Sequence, residues 1–265
     1  MYQVICPTDF SEVSKGALQY AISLLNDLGG HLQVTHFYQI PPATSHNKMM
    51  DDMVKDGAEE EMQILLNDNT PRLGSGQTMD QLVKRGDCAD QLCFLTKDGH
   101  VDLIVMGSNS SIHKMNLIFG STAKSVINRV KVPVIVVPPG GDYRPYQKIV
   151  LACEDLIQAE VLEFVSSLGR NSLHHLYFLH VGEISFEKEI IDYYNRYLKD
   201  FSYSLHNIEG DDVLTGVNLF VQEVGADLLV MIKRKKNYLQ RLFAVSHTDL
   251  ELFQAEIPLL IMHGE

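Results

Sequence analysis

The sequence predicts two copies of an open, doubly wound α/β domain, because short apolar segments alternate with helical ones and the pattern occurs twice. The matching segments are "YQVICPTDF" at 2–10 with "YQKIVLACED" at 146–155, "THF" at 35–37 with "LHV" at 179–181, "VDLIVMG" at 101–107 with "ADLLVMI" at 226–232, and "KVPVIVVP" at 131–138 with "EIPLLIMH" at 256–263. The first two pairs are offset by 145 and 144 residues and the last two by 125, so one deletion of about 20 residues explains the difference.

The first copy begins with a strand, a helix and a second strand. "QVICP" at 3–7 is a short apolar strand, and Ser11 is the predicted N-cap of a helix over 12–28. That helix carries apolar residues at helical spacing and stops at a glycine pair. The second strand is predicted over 32–38.

The remaining elements of the first copy alternate in the same way. The sequence predicts a helix over 51–68, a strand near 78–84, a helix near 87–99, a strand over 102–106, a helix over 121–129 and a strand over 133–137. Near-continuous apolar strands alternating with helices indicate a mostly parallel sheet covered on both faces. "PPGGDYRP" at 138–145 is the predicted linker, which gives domains at 1–140 and 145–265.

Composition and charge exclude several classes of protein. The net charge of −12 argues against a nucleic-acid-binding protein, whose contact face is normally basic. No apolar run reaches the ~18 residues that span a bilayer, and the first residues lack the basic start of a signal peptide. The four cysteines form no Cys-x-x-Cys pair and are predicted to be free thiols. A cytoplasmic protein is therefore expected.

One segment of the first copy has the features of a phosphate-binding loop. Gly107 follows an apolar strand, and Gly120, Ser121 and Thr122 open the next helix, whose exposed N–H groups favour an anion. A triphosphate between the two glycines is one interpretation. The other is that Gly107 ends a strand and Ser121 caps a helix. The sequence contains no Walker loop, no Gly-x-Ser-x-Gly elbow and no zinc-hydrolase motif.

Five segments of the first copy resemble the universal stress protein family. They are "CPTDFSEVSKGALQYA", "RGDCADQL", "DLIVMGSNSS", "FGSTAKSVI" and "VPVIVVP", in the family's order. The family pattern Gly-x2-Gly-x9-Gly-Ser/Thr is matched at Gly107, Gly120 and Ser121, but Ser110 replaces the second glycine. The resemblance covers the whole first copy and, more faintly, the second, so the chain is similar to a tandem member of this family.

The resemblance implies Rossmann-like domains of about five parallel strands, dimerisation through the last strand and, in some members, ATP binding. The implied nucleotide-binding residues are Pro7, Thr8, Asp9, Phe37, Met106, Gly107, Ser108, Asn109, Ser110, Gly120, Ser121 and Thr122. If the backbone at Ser110 is left-handed, a serine there costs about 1–2 kcal/mol, roughly a tenfold loss of affinity.

The second copy lacks the glycine cradle. Ile232 occupies the first glycine position, and Lys233, Arg234, Lys235, Lys236 and Arg241 follow it. This basic run is either a solvated loop or a side-chain anion site. The second copy is expected to be a structural partner, with its last strand at 256–263 pairing with 131–138 in the same chain, as in the family's dimer.

The sequence leaves two functions open. One is a stress-response module that binds ATP, ADP or AMP in the first copy, with Mg²⁺ as an accompanying ion and at most slow hydrolysis. The other is an interaction protein of the same family that binds no nucleotide. In either case a homodimer and further protein partners of unknown identity are expected, with no catalytic residue assigned and no metal-ligating cluster in the protein.

Overall fold

The protein is described by a computed structural model that covers residues 1–40, 48–108, 119–153, 156–181, 188–208, 213–233 and 257–264. These residues form two compact units, which divide between Tyr143 and Arg144. The division falls inside the proline- and glycine-rich segment at 138–145. Tyr143 remains attached to the first unit, since its hydroxyl donates to Asp27 Oδ2 at 2.7 Å.

The first unit alternates strands and helices from its first residues. Its strands are β1 (Tyr2–Pro7), β2 (Gly30–Tyr38), β3 (Thr78–Arg85), β4 (Leu103–Gly107) and β5 (Val134–Val137), and its helices are α1 (Glu12–Leu28), α2 (Lys48–Asn69), α3 (Cys88–Leu95) and α4 (Ser121–Arg129). A 3₁₀ turn, Thr70–Arg72, follows α2. Strands β4 and β5 are almost fully buried, as expected for a sheet with helices on both faces.

The five strands of the first unit form a parallel sheet in the order β3-β2-β1-β4-β5. Strand β1 lies in the centre, where Val4 pairs with Leu32 on one side and Leu103 on the other. The chain therefore moves outward from β1 first in one direction and then in the other. In such sheets ligands bind beyond the carboxyl ends of the strands, at the point where the direction reverses. That point lies between β1 and β4.

Helix α1 begins as the sequence predicts. Ser11 is its N-cap, and the hydroxyl of Ser11 accepts a hydrogen bond from the N–H of Ser14 at 3.3 Å. The helix ends at Gly29, whose φ of 75° lies in the region that favours glycine. Just before the cap, Phe10 also has a positive φ, 62°, which is strained for a bulky residue.

The other predicted elements are present, with different bounds in places. Helix α2 is longer than the predicted 51–68, and α4 has the predicted bounds. Helix α3 is shorter than the predicted 87–99, which was wrong at its C-terminal end. The reason is local: the Thr96 hydroxyl and N–H both bond to the Leu92 carbonyl, and Gly99 then adopts a φ of 72°.

The second unit has five strands and three helices among its described residues. They are β6 (Lys148–Cys153), α5 (Ala159–Leu168), β7 (His175–Val181), α6 (Lys188–Tyr197), β8 (Ser202–Ile208), α7 (Val213–Val224), β9 (Leu228–Lys233) and β10 (Leu259–His263). The strands are parallel, in the order β10-β9-β6-β7-β8.

The central strands of the two units pair in the same register. In the second unit Ile149 pairs with Leu176 on one side and Leu228 on the other, as Val4 does with its neighbours in the first unit. These pairings reproduce the offsets of 145, 144 and 125 residues seen in the sequence. Both units therefore have the predicted α/β architecture, a parallel sheet of about five strands. Over the residues that the structure covers, no helix has the length and apolar character to cross a membrane.

Candidate functional site

The first unit contains a cavity of about 410 Å³ at the carboxyl ends of β1, β2 and β4. It lies where the strand order reverses, and it extends to the first turn of α4. Ten of the twelve residues predicted for nucleotide binding line it: Pro7, Thr8, Asp9, Phe37, Met106, Gly107, Ser108, Gly120, Ser121 and Thr122. The other two, Asn109 and Ser110, lie outside the described residues.

A network of hydroxyl groups fixes the loop after β1. Thr8 is buried, and its hydroxyl is 2.9 Å from the hydroxyl of Ser14 and accepts the N–H of Phe10 at 3.0 Å. The Thr8 N–H donates to the Thr35 carbonyl at 2.8 Å, which extends the pairing of β1 and β2 into the loop. The loop after β1, which forms one wall of the cavity, is therefore hydrogen-bonded both to the sheet and to α1.

The Asp9 carboxylate is held by the same turn. Its Oδ1 accepts the Ser11 N–H at 3.1 Å and the Ser11 hydroxyl at 2.5 Å. Partial burial alone would raise the pKa of Asp9, but the hydrogen bonds from Ser11 and Ser14 outweigh it and hold this pKa below its usual value. Asp9 is therefore an ionised acceptor at neutral pH.

Gly107 is a glycine for a reason that the sequence does not reveal. Its φ is not in the left-handed region, and a Cβ at this position would lie 2.8 Å from Val13 Cγ1 and 3.2 Å from the Val13 carbonyl oxygen. The end of β4 thus packs directly against the first turn of α1. From the sequence, glycine at 107 was expected to allow close approach of a ligand or a positive φ. The structure adds a packing requirement, which holds without any ligand.

Helix α4 begins at a residue that has no side chain to cap it. Gly120 is the N-cap, with φ −63° and ψ 163°, and Ser121 is the first helical residue. The proposed alternative role of Ser121 as the cap is therefore wrong. The Gly120 N–H donates to the Ser108 carbonyl at 2.7 Å, and the Gly120 carbonyl accepts the Lys124 N–H. The N–H groups of the first turn face the end of the cavity that these residues line.

Ser108 adds a buried hydroxyl at this end of the cavity. Its side chain is 1% exposed, and its Oγ has no hydrogen-bond partner among the described residues. Its N–H donates to the Val137 carbonyl at 3.0 Å, which keeps the backbone in line with β5. A buried hydroxyl without a partner costs stability, so a ligand that accepts from it would gain a hydrogen bond at little further cost.

The cavity also has lining residues that the sequence analysis missed. They are Ser11, Val13, Ser14, His36, Gln39, Asp87, Cys88 and Ala123. The Nδ1 of His36 is 2.8 Å from the Thr8 carbonyl and must carry the proton there, since a carbonyl can only accept. Asp87 caps α3 by accepting the Asp90 N–H at 3.1 Å. Its position as a cap just after a strand was a signal that could have placed it at this edge of the sheet.

The corresponding place in the second unit is built from larger side chains. Gly107 pairs with Val137 in the first unit, and Ile232 pairs with Met262 in the second, so Ile232 does occupy the glycine position. Burial lowers the pKa of the Lys233 ammonium, which follows it. Arg234, Lys235, Lys236 and Arg241 lie outside the described residues. Among the residues that the structure describes, there is no group of three potential metal ligands.

The sequence matches the model of the universal stress protein family over residues 1–138. The chain belongs to this family. Among curated proteins, no relative matches the sequence significantly.

Solved structures extend the likeness to the full length of the chain. A universal stress protein from Archaeoglobus fulgidus is 17% identical, and the match covers 98% of this chain and 96% of that protein with a TM-score of 0.75. A protein of unknown function from Pseudomonas aeruginosa is 12% identical over 99% of this chain and 92% of its own, with a TM-score of 0.54. At these identities the matches show the fold, Rossmann-like in both units.

A shorter universal stress protein, solved in complex with cAMP, is 22% identical and covers 51% of this chain and 96% of its own. Its TM-score of 0.38 is too low for a comparison of the two sites, and the complex is a property of that protein.

Proposed function

We propose that this universal stress protein binds an adenine nucleotide, ATP, ADP or AMP, in the cavity of its first unit. The observation that carries the proposal is that two features line the same cavity. They are the first turn of α4, whose N-cap Gly120 has no side chain, and the Ser108 hydroxyl, which has no hydrogen-bond partner among the described residues. Both supply donors without a fixed charge, as phosphate sites at helix N-termini do.

Other residues of the cavity suit a base and a sugar. Pro7, Phe37 and Met106 provide apolar surface against which a base can pack. Ionised Asp9 accepts hydrogen bonds, and ribose hydroxyls are suitable donors. Mg²⁺ would be held mainly by phosphate oxygens, because the described residues contain no cluster of three potential ligands. We expect at most slow hydrolysis, because we assign no residue to positioning the attacking water.

The wider setting is also part of the proposal. We propose that the second unit is a second copy of the same domain with a degenerate loop, supported by the shared register of the central strands. A cytoplasmic location is supported by the four cysteines, all of which are free thiols. A homodimer and pairing of the two copies remain expectations from the sequence, and mass determination in solution tests the dimer.

The first test is chromatography of small molecules released by acid denaturation of freshly purified protein, followed by calorimetry of the emptied protein with ATP, ADP and AMP. We expect about one adenine nucleotide per chain or a saturable affinity for one of them. An empty protein with no thermal shift in millimolar nucleotide and Mg²⁺ contradicts the proposal.

Gly120→Asp separates binding from folding. The backbone at Gly120 is already extended, which an aspartate can adopt, and its carboxylate would cap α4 and stabilise the helix by about a few tenths of a kcal/mol. The same carboxylate repels a phosphate at the first turn. Nucleotide binding should therefore be lost while the melting temperature of the ligand-free protein is kept or raised. Gly57→Asp on α2 is the control, since a Cβ there meets nothing within 4 Å and Gly57 is not among the cavity residues.

One observation favours the alternative of an interaction protein without nucleotide. Gly107 is required by its contact with Val13, so the family glycine would be kept even if the cavity bound nothing. Under this alternative the Gly120→Asp variant gains stability, and neither it nor the parent protein shows a nucleotide-induced shift.

A further inference from the structure

Helix α2 exposes apolar side chains on the face that points away from the sheet. Its inner face buries Ala58, Met62, Leu65, Leu66 and Asn69. On the opposite face Met53 is 69% exposed and Ile64 is 56% exposed. These two residues are eleven apart, which in an α-helix places them about 20° apart around the axis and about 16 Å apart along it. We call this line along the helix the apolar stripe; Gly57 and Glu60 lie between its two apolar residues.

Acidic side chains surround this stripe. The helix carries seven acidic and two basic residues, and Asp52, Asp56 and Glu60 are exposed around the stripe. Lys55 is already occupied by Glu59, at 3.3 Å. Within the part of the chain that the structure describes, Asp52, Asp56 and Glu60 have no ion pair, so their charge is available to a partner.

Asp51 holds the helix in place from its other side. It accepts the Tyr38 hydroxyl at 3.3 Å and lies 3.7 Å from Arg85 Nη1, which links α2 to β2 and β3. The acidic, apolar face is therefore presented by an anchored helix rather than by a loose segment.

The stripe continues into a groove of about 650 Å³ beside α1. Ile64 lines it together with Leu65 and Phe10, and Asn69 lies at its wall. Asn69 is 5% exposed, and its Nδ2 donates to the Leu65 carbonyl at 2.8 Å, which fixes the direction of the amide. Its Oδ1 has no hydrogen-bond partner among the described residues. A donor entering this groove would satisfy a buried acceptor.

We propose that this surface, defined by Asp52, Met53, Asp56, Glu60 and Ile64 with the adjoining groove, docks a basic amphipathic helix of another protein. Apolar side chains of the partner would pack on Met53 and Ile64, and Lys or Arg residues would face the carboxylates. Methionine is frequent on surfaces that accept such helices, because its flexible side chain adapts to the partner. A second copy of this chain fits less well, since both acidic faces of α2 would then approach each other.

The probe is a fluorescein-labelled helical peptide of about 18 residues, with leucine on one face and lysine on the other, measured by anisotropy with the full chain. We expect saturable one-to-one binding that weakens as salt rises. Met53→Gln with Ile64→Gln should lower the affinity by about tenfold or more while the net charge is unchanged. The matched control is Leu219→Gln in α7, a residue 61% exposed in the other unit, which should bind as the parent does.

A triple variant, Asp52→Asn, Asp56→Asn and Glu60→Gln, should weaken binding and flatten its salt dependence. All these positions are exposed, so circular dichroism should show an intact fold. Non-saturable binding, or equal binding by the double variant and the control, overturns the proposal. A concentration-dependent dimer of the chain alone that the double variant abolishes also overturns it, because the occupant would then be a second copy.

Discussion

Strands β4 and β9 are at the same place in two sheets of the same strand order, yet they end differently. Strand β4 ends at Gly107, which packs against Val13 and leaves the cavity open in front of it. Strand β9 has Ile232 in that register position, followed by Lys233. The sheets are otherwise so alike that the same pairings recur. Two sheets of the same architecture thus differ, at the end of one strand, in the size of a single side chain, glycine in the first unit and isoleucine in the second.

The segments after the first strand of each unit also differ in the size of their side chains, which are small in the first unit and large in the second. In the first unit Thr8 and Ser14 join their hydroxyls beside the cavity. In the second unit the chain before α5 is bonded by tyrosines, as the Tyr193 hydroxyl donates to the Ile157 carbonyl at 3.0 Å and the Tyr194 ring stacks on Phe178 at 4.3 Å. Burial raises the pKa of Tyr194 well above its usual value. The second unit has aromatic packing where the first has small polar groups.

The largest effect is expected for Gly107→Ile, which places in the first unit the residue that the second unit has in this register position. The new side chain would collide with Val13, and overpacking of this kind costs about 1–3 kcal/mol. We expect nucleotide binding to be lost and hydrogen exchange in β4 and α1 to increase. Mass spectrometry of exchanged peptides measures both units separately.

Val13→Ala provides the control for that variant. Combined with Gly107→Ala, it should restore part of the stability that Gly107→Ala alone loses, because the two side chains compete for one space. Additive effects in this double-mutant cycle would show that the close contact does not explain the glycine.

Ser108→Ala is expected to have a smaller effect, which differs in sign between the ligand-free protein and nucleotide binding. Without ligand the variant should be as stable as the parent or slightly more so, since a buried unpartnered hydroxyl is removed. With nucleotide it should lose about 0.5–1.5 kcal/mol of binding, roughly two- to tenfold in Kd. Denaturant titration and calorimetry measure the two effects. Unchanged affinity would exclude a role for this hydroxyl in the proposed site.

The smallest expected effect concerns a matched pair of histidines at the amino ends of the sheets. His31 pairs in register with Thr78 and lies 3.4 Å from the Asp80 carboxylate. His175 pairs with Ser202, and its Nε2 is 2.9 Å from Ser204, whose hydroxyl is 2.7 Å from His206. Burial, His206 and Lys148 lower the pKa of His175 below its usual value. The register position of Asp80 is thus held in the second unit by Ser204, which bonds to a second histidine.

The sign of the pH effect follows from this lowered pKa. As the pH falls below ~6.5, the unfolded chain binds a proton at His175 before the folded chain does, so the second unit loses stability. Hydrogen exchange of β7 and β8, corrected for the intrinsic rate, should therefore increase between pH 7.5 and 5.5. His175→Asn should remove that increase, while His31→Asn should leave it. A second unit insensitive to pH in this range contradicts the assignment.

The sequence predicted most of the fold because strand and helix periodicities were strong and repeated. Three local features depend on neighbouring residues and are as predicted: the cap at Ser11, the glycine end of α1 and the bounds of α4. The end of α3 was mispredicted because a Thr side chain competes for a backbone carbonyl, which periodicity does not register. Most residues of the predicted site lie together because parallel strands bring their carboxyl ends to one edge.

Other features of the site depend on contacts far apart in sequence. The contact of Gly107 with Val13 spans most of the first unit, so a glycine pattern alone could not distinguish packing from ligand approach. His36 and Gln39 line the cavity beside Phe37, but a strand sequence does not show which of its residues reach past the sheet edge. The role of Ser110 stays a prediction.

The strained turn before α1 limits which residues can occupy position 10. Residue 10 must satisfy a backbone with φ 62°, which glycine or asparagine adopts most easily, and a ring contact with His36 at 4.4 Å, which needs an aromatic side chain. Few residues meet both demands; histidine, which is aromatic and enriched at positive φ, is one of them. Phenylalanine is a compromise in which side-chain stacking offsets backbone strain, so this position is narrow in choice although it lies in a loop.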